Sequence, residues 1–233
     1  MKKEIHKIDF DDRIIFTDII SNDGQAEVLL LHGAGTTNRA RYDTFREFLA
    51  EKGISSCAMD FIGHGETGGD LKETSLKERT EEVLAVVKSL NIKSPLKIIA
   101  FSMSGYTAIK LTEILPIESI VMMAPGVYDA NAYNLKFGHG FSEAIRALKS
   151  WQNTDVWSIL NKFKGKMLIF IGEKDETIPF EIVQKIYDSL VNAKFREISI
   201  LPNANHPLGI YLKENPDSLN FVIEKIDKFL QYE

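Results

Sequence analysis

Three residues of this chain have the types and the order needed for covalent acyl chemistry: Ser102, Asp175 and His206. The apolar run Leu96-Lys97-Ile98-Ile99-Ala100-Phe101 stops at Ser102, and a helix-like pattern begins at once. A strand that turns sharply into a helix exposes the turn side chain. It also points the next backbone N–H at the same spot and aims the positive end of the helix there. All three effects favour attack on a carbonyl carbon. Such a turn needs small residues two positions before and after the nucleophile, and here Ala100 and Ser104 stand where glycines are usual. Ser104 is the poorer candidate, because Tyr106 would then put a ring into the tight position. The alternative for Ser102 is an ordinary serine at a strand end.

The acid and the base come from two later strand ends. Met167-Leu168-Ile169-Phe170-Ile171-Gly172 runs into Glu173-Lys174-Asp175-Glu176-Thr177-Ile178-Pro179, which places Asp175 in a turn closed by a proline and able to orient a histidine. Glu173 and Glu176 flank it, Asp129 follows the preceding strand, and a solvated acidic turn before a helix is the plain alternative. Ile200-Leu201-Pro202-Asn203-Ala204-Asn205-His206 brings the one histidine of the last third of the chain to a strand-to-loop position. Serine, acid, histidine is the chain order of one fold-specific catalytic triad. Leu29-Leu30-Leu31-His32-Gly33-Ala34-Gly35 supplies a loop whose glycines allow close backbone approach, so the N–H groups of Ala34 and Met103 form a candidate oxyanion pair. His32, directly before the glycine turn, reads as a structural hydrogen-bonder rather than the base.

The elements that must position these residues alternate. The first twenty residues read as a hairpin around Asp11-Asp12-Arg13. Short continuous apolar runs then follow at Val28–His32, Ser56–Phe61, Leu96–Phe101, Ser119–Met123, Met167–Ile171 and Ile198–Leu201, the pattern of strands buried on both faces. Helical signals lie between them. They are a capping box at Ser75-Leu76-Lys77-Glu78, a stripe from Ile182 to Leu190 after Pro179, and a last stripe from Leu219 to Leu230 after Asn215-Pro216. Alternation of this kind gives an α/β fold with a mostly parallel sheet, whose function gathers at the carboxyl ends of the strands. The connection from Pro125 to Met167 is about twice the length a simple crossover needs. It holds Phe137, Phe141, Trp151 and Trp157, which either line an apolar substrate pocket beneath a lid at 126–165 or pack on the body.

With 233 residues, 44% hydrophobic and 26% charged, the chain reads as a single domain, 1–233. A net charge of −5 without a basic stripe argues against nucleic acid and anionic membrane surfaces and for a small-molecule substrate. No apolar stretch is long enough for a secretory signal or a membrane span, so the expected location is the cytoplasm. Cys57 lies in a strand-like run and is expected to be an inert core residue. The five histidines show no metal-ligand spacing, and neither metal nor cofactor is expected. The sequence gives no oligomeric state.

Taken together, the His-Gly loop at His32, the elbow at Ser102, the acid turn at Asp175 and the terminal His206 resemble the α/β-hydrolases over nearly the whole chain. Asp60-Phe61-Ile62-Gly63-His64-Gly65-Glu66-Thr67 is similar to a further loop of that family, Gly-His-Gly-x-Ser, with Thr67 displaced by one residue. The resemblance implies about eight strands, mostly parallel and flanked by helices, with a small helical cap after the sixth. It also implies a serine hydrolase of carboxylic esters, esterase- or lipase-like, that passes through an acyl-enzyme intermediate. A thioesterase or acyltransferase using the same triad, or a non-catalytic ligand-binding protein of the same fold, are the other readings.

Overall fold

In the computed structural model, which describes residues 1–22 and 24–232, eight strands form one sheet in the order β1-β2-β4-β3-β5-β6-β7-β8. The N-terminal hairpin is β1 (Lys2–Phe10) and β2 (Arg13–Ser21), with Asp11 in the left-handed conformation at the turn. β2 pairs antiparallel with β4 (Ser56–Met59). Every pairing beyond that is parallel, through β3 (Val28–Leu31), β5 (Leu96–Phe101), β6 (Ile117–Met123), β7 (Lys166–Gly172) and β8 (Phe195–Leu201). β3, β4 and β7 are buried along their whole length, as their unbroken apolar runs require of strands covered by helices on both faces. This is the α/β-hydrolase arrangement.

The covering helices are α1 (Asp43–Glu51), α2 (Leu76–Ser89), α3 (Ser104–Leu111), α4 (Phe141–Arg146), α5 (Val156–Lys162), α6 (Phe180–Ser189), α7 (Leu208–Glu214) and α8 (Pro216–Gln231). Local chemistry sets several starts. Ser75 accepts from the Glu78 N–H at 3.1 Å to cap α2, as the capping box requires. Pro179 stands one residue before α6, and Pro216 opens α8 as its first residue. α7 carries no periodic signal in the sequence. It is short, follows His206 directly, and buries only Leu208 and Leu212, too few positions to make a period. Among the described residues no helix is long and apolar enough to cross a membrane.

The order of the strands fixes where a site can form. The chain moves from β3 outward to β4, then returns across β3 to β5, so the loops leaving β3 and β5 part in opposite directions. The crevice between them is the topological switch point of the sheet. The loop after β3 is also held from beneath by a buried ion network. Arg39 binds Asp18, Asp60 and Glu66, and Arg46 donates to Asp18 at 2.5 Å, with Asp18, Asp60 and Arg46 essentially inaccessible.

Candidate active site

Ser102 directly follows β5 and lies in the left-handed region at φ 50°, a conformation a non-glycine residue adopts only where its surroundings impose it. Its own N–H bonds back to the Met123 carbonyl, and α3 begins two residues later. The elbow is crowded in the way its small residues require. A methyl group on Gly33 would lie 3.1 Å from the Ser102 β-carbon, and one on Gly105 would lie 2.7 Å from Pro125. Ser104 is fully buried and donates its hydroxyl to the His32 carbonyl. It ties α3 to the loop after β3 and is not the exposed hydroxyl of the turn.

Ser102 Oγ lies 2.9 Å from His206 Nε2, and His206 Nδ1 lies 2.9 Å from Asp175 Oδ2. These three residues leave β5, β7 and β8. Asp175 is locked in place. Its Oδ1 accepts the N–H groups of Thr177 and Ile178 at 2.8 and 2.9 Å, and its side chain is 1% exposed. Burial pushes the Asp175 pKa up, but the His206 and backbone hydrogen bonds outweigh it and leave the carboxyl below its usual value. Asp175 is therefore a carboxylate at neutral pH, an acceptor for Nδ1–H that leaves Nε2 free to accept from Ser102.

The acid turn and the histidine loop are joined to each other. The N–H groups of Glu173 and Lys174 bond to the carbonyls of Leu201 and Ala204, Glu173 Oε2 accepts the Asn203 N–H at 2.8 Å, and Lys174 donates to Asn203 Oδ1. Gly172 lets them meet, since a methyl group there would come within 2.4 Å of the Ala204 carbonyl oxygen. Glu173 thus serves as a clamp, a role with no sequence signal because its partner is a backbone N–H thirty positions away. Asp129, the alternative acid, instead caps the turn at 130–134 by accepting the Asn131 N–H.

Of the candidate oxyanion donors, Ala34 lines the cavity at Ser102, and Met103 follows Ser102 directly. Among the described residues neither N–H has a hydrogen-bond acceptor, so both are available to a ligand. His32 is buried, bonds through Nδ1 to the Gly33 carbonyl at 2.8 Å, and accepts the Phe61 N–H at Nε2. Burial, reinforced by Arg79, pulls its pKa far down, so it is a neutral strut. His64 is pulled down to about 4 by burial and by Arg79, whose guanidinium approaches its Nε2 at 3.4 Å. Thr67 donates to the Asp60 carbonyl and accepts the Phe16 N–H, fastening the loop after β4. Cys57 is wholly buried in β4, with its thiol pushed up to about 11 by burial, and is no nucleophile.

The cavity that opens on Ser102 and His206 is small, about 90 Å³. Its walls include Tyr42, Phe101, Met123, Leu208 and Ile210, with Arg41 at one side. None of Phe137, Phe141, Trp151 and Trp157 lines it. Phe141 is buried against Phe137 and Tyr128, and Phe137 lies on the Arg79 guanidinium. Trp151 and Trp157 meet edge to face at 6.1 Å under Lys185 of α6. A larger hollow of about 510 Å³ lies far from this chemistry, among Ile117, Lys166 and Tyr232 near the starts of β6 and β7.

A fold of this class with a serine at the elbow defines an α/β-hydrolase, and comparison with known proteins narrows the family. Residues 22–154, more than half of the chain, match the family described as serine aminopeptidase, S33, and the chain belongs to that family. The matched span includes the loop after β3 and Ser102 but ends before Asp175 and His206. Solved structures of similar fold include a CIB-like hydrolase from Thermoplasma acidophilum, with 16% identity, 98% of this chain and 99% of that one covered, and a TM-score of 0.71. An esterase from Exiguobacterium antarcticum has 16% identity, coverage of 94% and 98%, and a TM-score of 0.71. A monoacylglycerol lipase from Paleococcus ferrophilus has 17% identity, coverage of 92% and 99%, and a TM-score of 0.72. At these identities the likeness is one of fold.

Proposed function

We propose that this α/β-hydrolase cleaves carboxylic esters through an acyl-enzyme intermediate. Ser102 Oγ attacks the acyl carbon while His206 Nε2 takes its proton, and the same imidazole returns that proton to the departing alcohol. Asp175 holds Nδ1 protonated and stabilises the imidazolium that forms. The N–H groups of Ala34 and Met103 receive the oxyanion, assisted by the N-terminal end of α3. A water activated by His206 then releases the acid and restores Ser102. In this reading the segment 126–165 is the cap of a single domain.

The observation that carries the proposal is the unbroken chain of two 2.9 Å contacts from Ser102 through His206 to a buried, ionised Asp175, set at the switch point of the sheet. A fluorophosphonate probe should label Ser102, and the label should be lost in Ser102→Ala. The same triad could act on a thioester or an amide, and the description of the family names an aminopeptidase. A panel of esters, thioesters and aminoacyl arylamides of graded size therefore belongs in the same experiment. Esters are expected to lead. Labelling at another residue, or arylamides cleaved in preference to every ester, would refute the assignment.

A further inference from the structure

Among the described residues, one charged group at the site has no protein counter-ion. Arg41 lines the cavity that holds Ser102 and His206, and it is fixed there by the loop that carries Ala34. Its backbone N–H bonds to Asn38 Oδ1 at 3.1 Å, and one guanidinium nitrogen donates to the Thr36 carbonyl at 2.5 Å. Among the described residues no carboxylate lies within ion-pair distance of it, and its other N–H groups have no protein acceptor. Its neighbours in sequence differ. Arg39 and Arg46 are saturated by Asp18, Asp60 and Glu66.

The surroundings do not neutralise Arg41. The nearby Asp43 is taken by Lys3 and Arg46. On the far side of His206, Asp175 and Glu173 are engaged with His206 and with backbone N–H groups. A separate small recess is lined by Arg41 together with Lys213, and Lys213 does not reach the cavity at Ser102. In a chain of net charge −5, the cavity beside the nucleophile is lined by one guanidinium, that of Arg41, and by no carboxylate.

The geometry points to Arg41 as a specificity-determining residue that binds a carboxylate of the substrate. The preferred substrates are then small esters carrying a free carboxylate, held by the guanidinium fork while Ser102 attacks. This rests on the proposed esterase activity and adds its substrate class. The cavity, about 90 Å³, suits a short group rather than a long acyl chain. A planar guanidinium with free N–H groups pairs with a carboxylate through two parallel hydrogen bonds.

Two pairs of substrates test the inference and locate the charge. On the acyl side they are the 4-nitrophenyl ester of glutarate and that of monomethyl glutarate, with uncatalysed hydrolysis subtracted. On the alcohol side they are 4-acetoxybenzoate and its methyl ester. The readout is the ratio of kcat/KM, charged over neutral, within each pair. In the wild type one pair should show a ratio on the order of ten, carried mainly by KM and shrinking as salt is added. Arg41→Gln should bring that ratio to about one whatever happens to the absolute rates, and Arg41→Lys should lie between. Arg146→Gln removes a charge in α4, away from the cavity lining, and should leave the ratio unchanged. If Arg41→Gln is poorly folded, competitive inhibition of neutral-ester hydrolysis by free glutarate in the wild type reads the same contact. A wild-type ratio of one or less in both pairs, or a ratio untouched by Arg41→Gln, overturns the inference. Fluorophosphonate labelling of Ser102 in parallel separates the two readings. Labelling and neutral-ester turnover without a charge preference sink only the role of Arg41, whereas no labelling and no turnover sink the esterase reading with it.

Discussion

Replacing Asp175 by asparagine changes one atom in a place where every hydrogen bond is already assigned. In the wild type Oδ1 accepts two N–H groups, from Thr177 and Ile178, and Oδ2 accepts from His206 Nδ1. Asparagine can keep its oxygen on the turn, which points its NH2 at Nδ1 and favours the imidazole with its proton on Nε2. That tautomer cannot accept the Ser102 proton. The productive tautomer then loses a charge-assisted hydrogen bond, at about 1.5–3 kcal/mol, and faces donor to donor at about 1–3 kcal/mol more. Together these correspond to a loss of roughly 10² to 10⁴ in kcat. The flipped amide is no better, because its NH2 would meet the two turn N–H groups. The assay is kcat on a 4-nitrophenyl ester, with the melting temperature recorded for both proteins. The folded pKa of Asp175 is depressed, so its stabilising contribution is present above about pH 4, the unfolded value, and is lost as pH falls through the folded one. The advantage of wild type over Asp175→Asn in melting temperature should therefore vanish in acid. Asp129→Asn should turn over normally. A folded Asp175→Asn with kcat within about threefold of wild type, alongside a collapse in Asp129→Asn, would falsify the assignment of the acid.

Three further outcomes follow from particular contacts. Ser102→Ala should lose both turnover and probe labelling, whereas Ser104→Ala should keep the label while kcat falls several-fold, because the bond from α3 to the His32 carbonyl is gone; equal labelling losses would mean that the elbow is misread. Gly172→Ala should lower the melting temperature and kcat together, as a methyl group 2.4 Å from the Ala204 carbonyl must separate the acid turn from the histidine loop at about 1–3 kcal/mol; an unchanged kcat would show that the clamp does not position the triad. Glu82 is pushed up to about 8 by burial, against the pull of the Ile62 N–H and Arg79. Its folded state holds a proton that the unfolded chain releases near about pH 4.3, so wild-type stability should fall between that pH and about 8 by an amount on the order of a few kcal/mol. Glu82→Gln should flatten this decline, and parallel curves of melting temperature against pH would refute it.

The strands and the meeting of Ser102, Asp175 and His206 were legible because both rest on local rules. An apolar run long enough for a strand, a small residue on either side of a turn, and a chain order set by crossovers are all written along the sequence. The four aromatic residues of the long connection were not legible in that way. Ring density says that surface will be buried but not what buries it, and Trp151 and Trp157 turn to each other and to Lys185, not to the cavity beside Ser102. The ion network under the loop after β3 was invisible for a different reason. Asp18, Arg39, Arg46 and Asp60 come from four separate elements, and only the antiparallel pairing of β2 with β4 brings the two aspartates to one place. The clamp by Glu173 and the free guanidinium of Arg41 depend likewise on which neighbours lack a partner, a property of the folded surface.

The excursion after β6 leaves and rejoins the body at one helix. The Gly126 N–H bonds to the Ser102 carbonyl, and Asp155 accepts from Tyr106 and Lys110, one and two turns along α3. A loop whose two feet stand so close together is insensitive to how much chain runs between them, since doubling its length adds only about 0.6 kcal/mol of closure entropy. Chain length between Gly126 and Asp155 can therefore vary at little entropic cost, and what constrains the stretch is its packing, with Phe137, Phe141 and Trp151 seated on the body. Change there is bounded by those side-chain contacts rather than by closure of the loop, while the lining of the cavity at Ser102 comes from other segments.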